Sequence, residues 1–192
     1  MSREIVFTGQ KGGLTLAGKM KKGLAEIREE KNIMKAAEGI ILLLDVSGSM
    51  KEKVGERRKI DHLREAIVNH ASLRKVSFSR SVVEGLPEHP EFGGTHLAHA
   101  FDYLLSSRPK TVILISDGLP DSREDAFSAA EKLGCPINIV YIGPGEDEGE
   151  AFMKELAQRT RGKQVTADTC SAKADFGKQL TNKVQLLLPQ KS

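Results

Sequence analysis

The sequence predicts an α/β fold, a mostly parallel sheet covered by helices on both faces, and three observations carry that expectation. From about Gly39 onward, apolar β-branched runs alternate with segments of helical period. Ile40 to Asp45 is nearly continuous in apolar character, as a central strand buried on both faces should be. Thr111 to Ser116 repeats the pattern and runs into Asp117-Gly118, so two central strands lead into an aspartate.

The elements follow in order. After the first strand, Ile60, Leu63, Ile67 and Val68 recur at helical spacing and are expected to face the sheet. Val76 to Phe78 and Ser81 to Val83 are short and separated by polar residues, which suggests a hairpin toward one edge. A second stripe, Leu97, Phe101, Leu104 and Leu105, gives another sheet-facing helix before the Thr111 strand. Asp121 or Ser122 caps a helix to Leu133, ended by Gly134 and Pro136. Ile137 to Ile142 is a third strand, Glu150 to Arg161 a helix closing on Gly162, and Lys163 to Thr166 a weaker edge strand. The last helix runs from about Asp175 to Leu188, with Phe176, Leu180, Val184 and Leu187 on one face, and stops at Pro189.

Residues 1–38 have a different character: glycines interrupt a basic stretch in which Leu16, Met20, Leu24 and Ile27 mark one helical face. This N-terminal helical extension either packs on its own domain or docks a partner. The expected organisation is therefore an extension over 1–38, one domain over 39–188 and a tail over 189–192.

The chain has 192 residues, 29 basic against 26 acidic, for a formal charge of +3. That interspersed balance does not by itself imply nucleic acid. Cys135 and Cys170 lie far apart without zinc-ligand spacing, so they are expected to be free thiols in a reducing cytoplasm. The N-terminus lacks the apolar core of a signal peptide, and the apolar stretch Ile40 to Leu44 is far short of the roughly 20 residues that span a bilayer.

The chemistry concentrates in three loops. Asp45-Val46-Ser47-Gly48-Ser49 brings one carboxylate and two hydroxyls to a strand end, hard oxygen donors of the kind Mg²⁺ or Mn²⁺ prefers. Gly93-Gly94-Thr95 precedes a helix, where paired glycines allow another loop to approach closely and present the Thr95 hydroxyl. Asp117-Gly118 follows the second central strand. In a parallel sheet the carboxyl ends share an edge and ligands bind where strand order reverses, so Asp45 and Asp117 should face one another. Gly118 is expected to relieve crowding behind Asp117. His96 falls at the rim of this site, either as a solvated helix-start residue or in contact with an incoming carboxylate, and Asp121 is expected to cap a helix.

The series Asp45-Val46-Ser47-Gly48-Ser49-Met50, Gly94-Thr95 and Ile113-Leu114-Ile115-Ser116-Asp117-Gly118 resembles the von Willebrand factor type A domain family, over about Gly39 to Leu188. The resemblance implies a doubly wound, Rossmann-like sheet with a metal-ion-dependent adhesion site at its carboxyl edge. By the same resemblance Asp45, Ser47 and Ser49 form the first ligand loop, Thr95 the second and Asp117 the third. The ion would be Mg²⁺, with Mn²⁺ or Ca²⁺ as alternatives. Ser116 stands where family members often carry Thr, which keeps a hydroxyl. The resemblance also implies partners: small intracellular domains of this family often work with AAA-type ATPases or within multiprotein complexes.

Enzyme classes fit less well. A haloacid-dehalogenase-type phosphatase needs a second Asp two residues after the first, and Ser47 stands there. Neither Gly-x-Ser-x-Gly nor a Gly-x-x-x-x-Gly-Lys phosphate loop is present. The expectation is a cytoplasmic binding module that captures an acidic side chain of a partner protein through a divalent ion. A metal-dependent hydrolase, or a nucleic-acid-associated adaptor using the basic N-terminal segment, are the alternatives.

Overall fold

The computed structural model describes residues 39–89, 93–170 and 175–188. The predicted N-terminal extension and the tail lie outside the described residues. Eight strands are described: β1 (Ile40–Asp45), β2 (Lys53–Val54), β3 (Arg57–Arg58), β4 (Arg74–Phe78), β5 (Val82–Glu84), β6 (Thr111–Ser116), β7 (Ile137–Gly143) and β8 (Gln164–Asp168). The helices are α1 (Lys59–Ile67), α2 (Leu97–Leu104), α3 (Arg123–Leu133), α4 (Glu148–Arg159) and α5 (Phe176–Leu187).

Six strands form the main sheet in the order β5-β4-β1-β6-β7-β8. All neighbours are parallel except β4 and β5, the edge hairpin expected from the sequence. From β1 the chain first builds outward to β4 and β5, then returns to the other side of β1 with β6, β7 and β8. Strand order therefore reverses between β1 and β6, and the crevice beyond their carboxyl ends is the switch point. Register pairs Leu44 with Ile115, which brings Asp45 level with Ser116 at that edge.

Alternation along the strands divides the core into two layers. Leu42, Leu44, Ile113 and Ile115 pack with Ile60 and Leu63 of α1 and with Phe176, Leu180 and Val184 of α5. Ile41, Leu43, Val112 and Leu114 face the other way, against Phe101 and Leu104 of α2, Ala126 and Ala129 of α3, and Phe152 and Leu156 of α4. Both faces of β1 and β6 are thus covered, which is why their sequences read as unbroken apolar runs.

Two stripe residues depart from expectation. Val68 is 64% and Leu105 38% exposed, because each begins a 3₁₀ turn at the end of its helix. The tighter winding carries these side chains off the apolar face. The α3 cap is Ser122, whose hydroxyl accepts the Asp125 N–H at 3.3 Å, and Gly134 ends the helix with φ of 70°. Helix α4 starts two residues before the expected Glu150, with Asp147 as its cap. The β2–β3 ribbon had no signal in the sequence. Among the described residues, no helix is long and apolar enough to cross a membrane.

Candidate cation site at the switch point

The first loop leaves β1 at Asp45 and turns at once into a 3₁₀ segment, Gly48–Lys51. Val46 N–H donates to Phe78 O at 2.9 Å, tying the turn to the end of β4. Asp45 is fully buried. Its Oδ1 accepts the Ser47 N–H at 2.8 Å and its Oδ2 the Ser116 hydroxyl at 2.6 Å. The hydroxyl that the sequence keeps at position 116 therefore holds Asp45 in place, and Ser116 is a site residue in its own right.

From there the network crosses to the second strand. The Ser47 and Ser49 hydroxyls are 3.0 Å apart, and Ser49 donates to Asp117 Oδ1 at 2.7 Å. The Asp117 side chain is 0% exposed although the residue's backbone reaches the surface. Asp45, Ser47, Ser49 and Asp117 are thus brought together as one hydrogen-bonded cluster, with the two aspartates facing across the switch point. Burial, and then the charge of Asp117, push the Asp45 carboxyl from 3.8 up to about 6, despite the donors from Ser116 and Ser47.

Thr95 reaches the same edge by a separate route. Its N–H donates to Asp121 Oδ1 at 3.1 Å and its carbonyl accepts the Asp121 N–H at 3.2 Å, a reciprocal pair between two loops. His96 N–H donates to Ser79 O at 3.0 Å, while His96 Nε2 lies 2.7 Å from Asp121 Oδ2. A Cβ on Gly94 would fall 2.5 Å from the Asp121 carboxylate, so the close approach permitted by the glycine pair is made by Asp121. Three expectations are corrected here. Thr95 is buried, at 8% exposure, rather than presented. Asp121 clamps the Thr95 loop instead of capping a helix. Gly118 has open space where a Cβ would stand, so it relieves no crowding. The Thr95 hydroxyl has no hydrogen-bond partner among the described residues and makes none with the other four predicted ligands.

A residue the sequence did not single out completes the cluster. Lys59, the first residue of α1, is 8% exposed, and its Nζ lies 2.7 Å from Asp117 Oδ2 and 2.7 Å from Glu52 Oε2. Burial by itself would pull the amine down. The charge of Asp117 and hydrogen bonds to Asp117 and Glu52 outweigh it and hold the pKa above the usual lysine value.

The donor set fits a hard divalent cation. Neighbouring oxygens around an octahedral ion bound at about 2.1 Å stand roughly 3 Å apart. The Ser47–Ser49 and Ser49–Asp117 separations, 3.0 and 2.7 Å, match that spacing. The Thr95 hydroxyl, without a hydrogen-bond partner among the described residues, is a further oxygen at this edge. No group of three or more His, Cys, Asp or Glu suited to a metal occurs among the described residues, so a cation here would depend on two carboxylates and hydroxyls.

The sequence matches no protein-family profile and no curated relative. Among solved structures, the fold is similar to a von Willebrand factor type A protein from Catenulispora acidiphila, with a TM-score of 0.55 and 15% identity. That match covers 75% of this chain and 42% of the other, so the chain spans less than half of that protein's length. Proximal thread matrix protein 1 from the mussel byssus matches with a TM-score of 0.43 and 14% identity, over 74% of this chain and 44% of that one. The response regulator domain of Thermotoga maritima CheB matches with a TM-score of 0.42 and 14% identity, over 80% and 98% respectively. The chain has a von Willebrand factor type A-like fold: a mostly parallel six-stranded sheet flanked by helices.

Proposed function

We propose that this chain is a divalent-cation-dependent protein-binding module. Asp45, Ser47, Ser49, Thr95 and Asp117 hold Mg²⁺, or Mn²⁺ or Ca²⁺ in its place, and the aspartate or glutamate of a partner protein completes the site. The observation that carries this reading is the pair of buried carboxylates facing each other at the switch point, with Asp45 pushed up to about 6. Two negative charges held this close are a standing electrostatic cost, and a cation between them removes it. When bound, the ion supplies Lewis acidity toward an outside carboxylate oxygen.

The residues of the chain do the rest. Ser116 and the Ser47 N–H fix Asp45, Ser49 orients Asp117, and Asp121 holds the Thr95 loop. Three hydroxyls add oxygen donors without adding charge, so the ion keeps an appetite for a further anionic ligand. The reading is non-catalytic. The two loop serines are hydrogen-bonded to each other, Ser49 also donates to Asp117, and neither serine pairs with a histidine base among the described residues. We assign the module to an intracellular complex in the cytoplasm, in keeping with Cys135 and Cys170 as free thiols. An AAA-type ATPase as partner rests on the sequence resemblance alone.

Affinity capture from native lysate tests the reading, with Mg²⁺ against EDTA and with Asp45→Ala as the control bait. The expected result is a set of partners lost under both treatments. Partners indifferent to both would count against metal-mediated capture.

A further inference from the structure

We propose that Lys59 is a built-in counter-cation of the site: its amine and a divalent ion compete for Asp117, and the ion enters only when Lys59 lets go of that carboxylate. The inference rests on the cation-site reading and adds to it a residue that sets the affinity.

Four carboxylate oxygens belong to the facing aspartates, and each accepts a hydrogen bond. The donors are the Ser47 N–H, the Ser116 and Ser49 hydroxyls, and the Lys59 ammonium. Only the last carries charge. An ammonium and a divalent ion sharing one buried carboxylate repel each other strongly, so Asp117 cannot favour both at once. The lysine's placement also runs against its own helix. It is the first residue of α1, where the helix dipole disfavours a cation, and it is almost fully buried, which a lysine avoids unless paired. The carboxylates offset both costs.

The chain provides a place for the amine to go. Lys59 N–H donates to Glu52 O at 2.9 Å, closing the β2–β3 ribbon, so the backbones of the two residues are pinned together. The Lys59 amine already touches Glu52 Oε2, and the Glu52 side chain is 67% exposed. Release from Asp117 therefore leaves Lys59 paired with Glu52 at the solvent boundary. The charges are consistent with exchange. Lys59 with Glu52 is neutral as a pair, and the two aspartates that remain match one divalent ion.

The test is Mn²⁺ calorimetry on the full chain and on its Lys59→Met and Lys59→Arg variants. Removing the competing charge in Lys59→Met is expected to tighten Mn²⁺ binding at least about tenfold, whereas Lys59→Arg, which keeps the charge, should not tighten it. Mn²⁺ binding by Lys59→Met alone would mean that the lysine does not yield to the ion in the wild type, and would overturn the exchange. If the wild type binds Mn²⁺ and Lys59→Met binds it equally or more weakly, the lysine proposal fails and the cation site stands. If neither binds, the site and the proposal fall together. Amine acetylation of the wild type, read by peptide mass spectrometry, covers the case in which Lys59→Met does not fold. Lys59 should be modified slowly without Mn²⁺ and severalfold faster with it, and an unchanged rate would overturn the exchange.

Discussion

Two carboxylate clusters stand at the same edge of the sheet, and they are built in opposite ways. Beyond β7, Asp147 caps α4 by accepting the Glu150 N–H at 2.8 Å and takes the Tyr141 hydroxyl at 2.7 and 2.9 Å on its two oxygens. Glu150 accepts from the Thr166 hydroxyl and from the Glu146 N–H, and these bonds, led by Thr166, hold its carboxyl below the ordinary glutamate value. Burial and then the hydrogen bond to Asp147 push the Tyr141 hydroxyl upward, so it remains a donor. Beyond β1 and β6, by contrast, burial and a facing carboxylate leave Asp45 raised to about 6. One cluster spends its carboxylates on caps and turns that stabilise the fold. The other holds two buried carboxylates facing each other, with the Lys59 amine on one of them. A carboxylate whose surroundings favour its charge is structural, and one whose surroundings oppose it at a switch point is a candidate for binding.

Asp117→Ala should separate the two clusters most sharply. Cation affinity is expected to fall at least about 100-fold by calorimetry. Because Lys59 loses one of its two carboxylate partners, denaturant unfolding should also show a loss of about 1–3 kcal/mol. Equal affinity in the variant would remove Asp117 from the site.

A pH comparison probes the strained cluster directly. The folded pKa of Asp45 lies above its unfolded value, so the folded state holds the proton more tightly, and stability falls as pH rises from about 4 to 6. The decline is at most about 3 kcal/mol and should be absent from Asp45→Asn. It should also shrink in saturating Mg²⁺, because the bound ion favours the ionised carboxylate. A wild type and Asp45→Asn with parallel stability profiles over this range would contradict the raised pKa.

Smaller effects should keep the clusters apart. Asp121→Ala frees the Thr95 loop and is expected to weaken cation binding about tenfold through positioning alone, with little change in unfolding free energy. Tyr141→Phe should cost about 1 kcal/mol of stability and leave cation affinity unchanged. Cation binding that responded to Tyr141→Phe would mean that the two clusters are not independent.

The central strands were readable because both faces of β1 and β6 are covered, so composition alone marks them, and the same parallel logic placed Asp45 opposite Asp117. Ser47 and Ser49 followed from spacing, being alternate residues after a strand. Lys59 was not readable. A lysine at a helix start is ordinarily solvated, and its burial depends on Asp117 and Glu52, at sequence separations of 58 and 7, meeting in space. The role of Asp121 was hidden by local chemistry, since Asp before a helix reads as a cap and the competing Ser122 took that position. Gly93-Gly94 was the one available signal for it, because a glycine pair announces a close neighbour without naming it. Thr95 and the ends of the helical stripes failed for a related reason: burial at a loop or at a 3₁₀ turn is set by tertiary packing rather than by period.

Mn²⁺ calorimetry on the wild type and Asp45→Asn tests the central claim most directly. The account predicts saturable binding of a single ion per chain, lost when Asp45 can no longer carry charge. Absence of binding to the wild type, or equal binding to both, would contradict it.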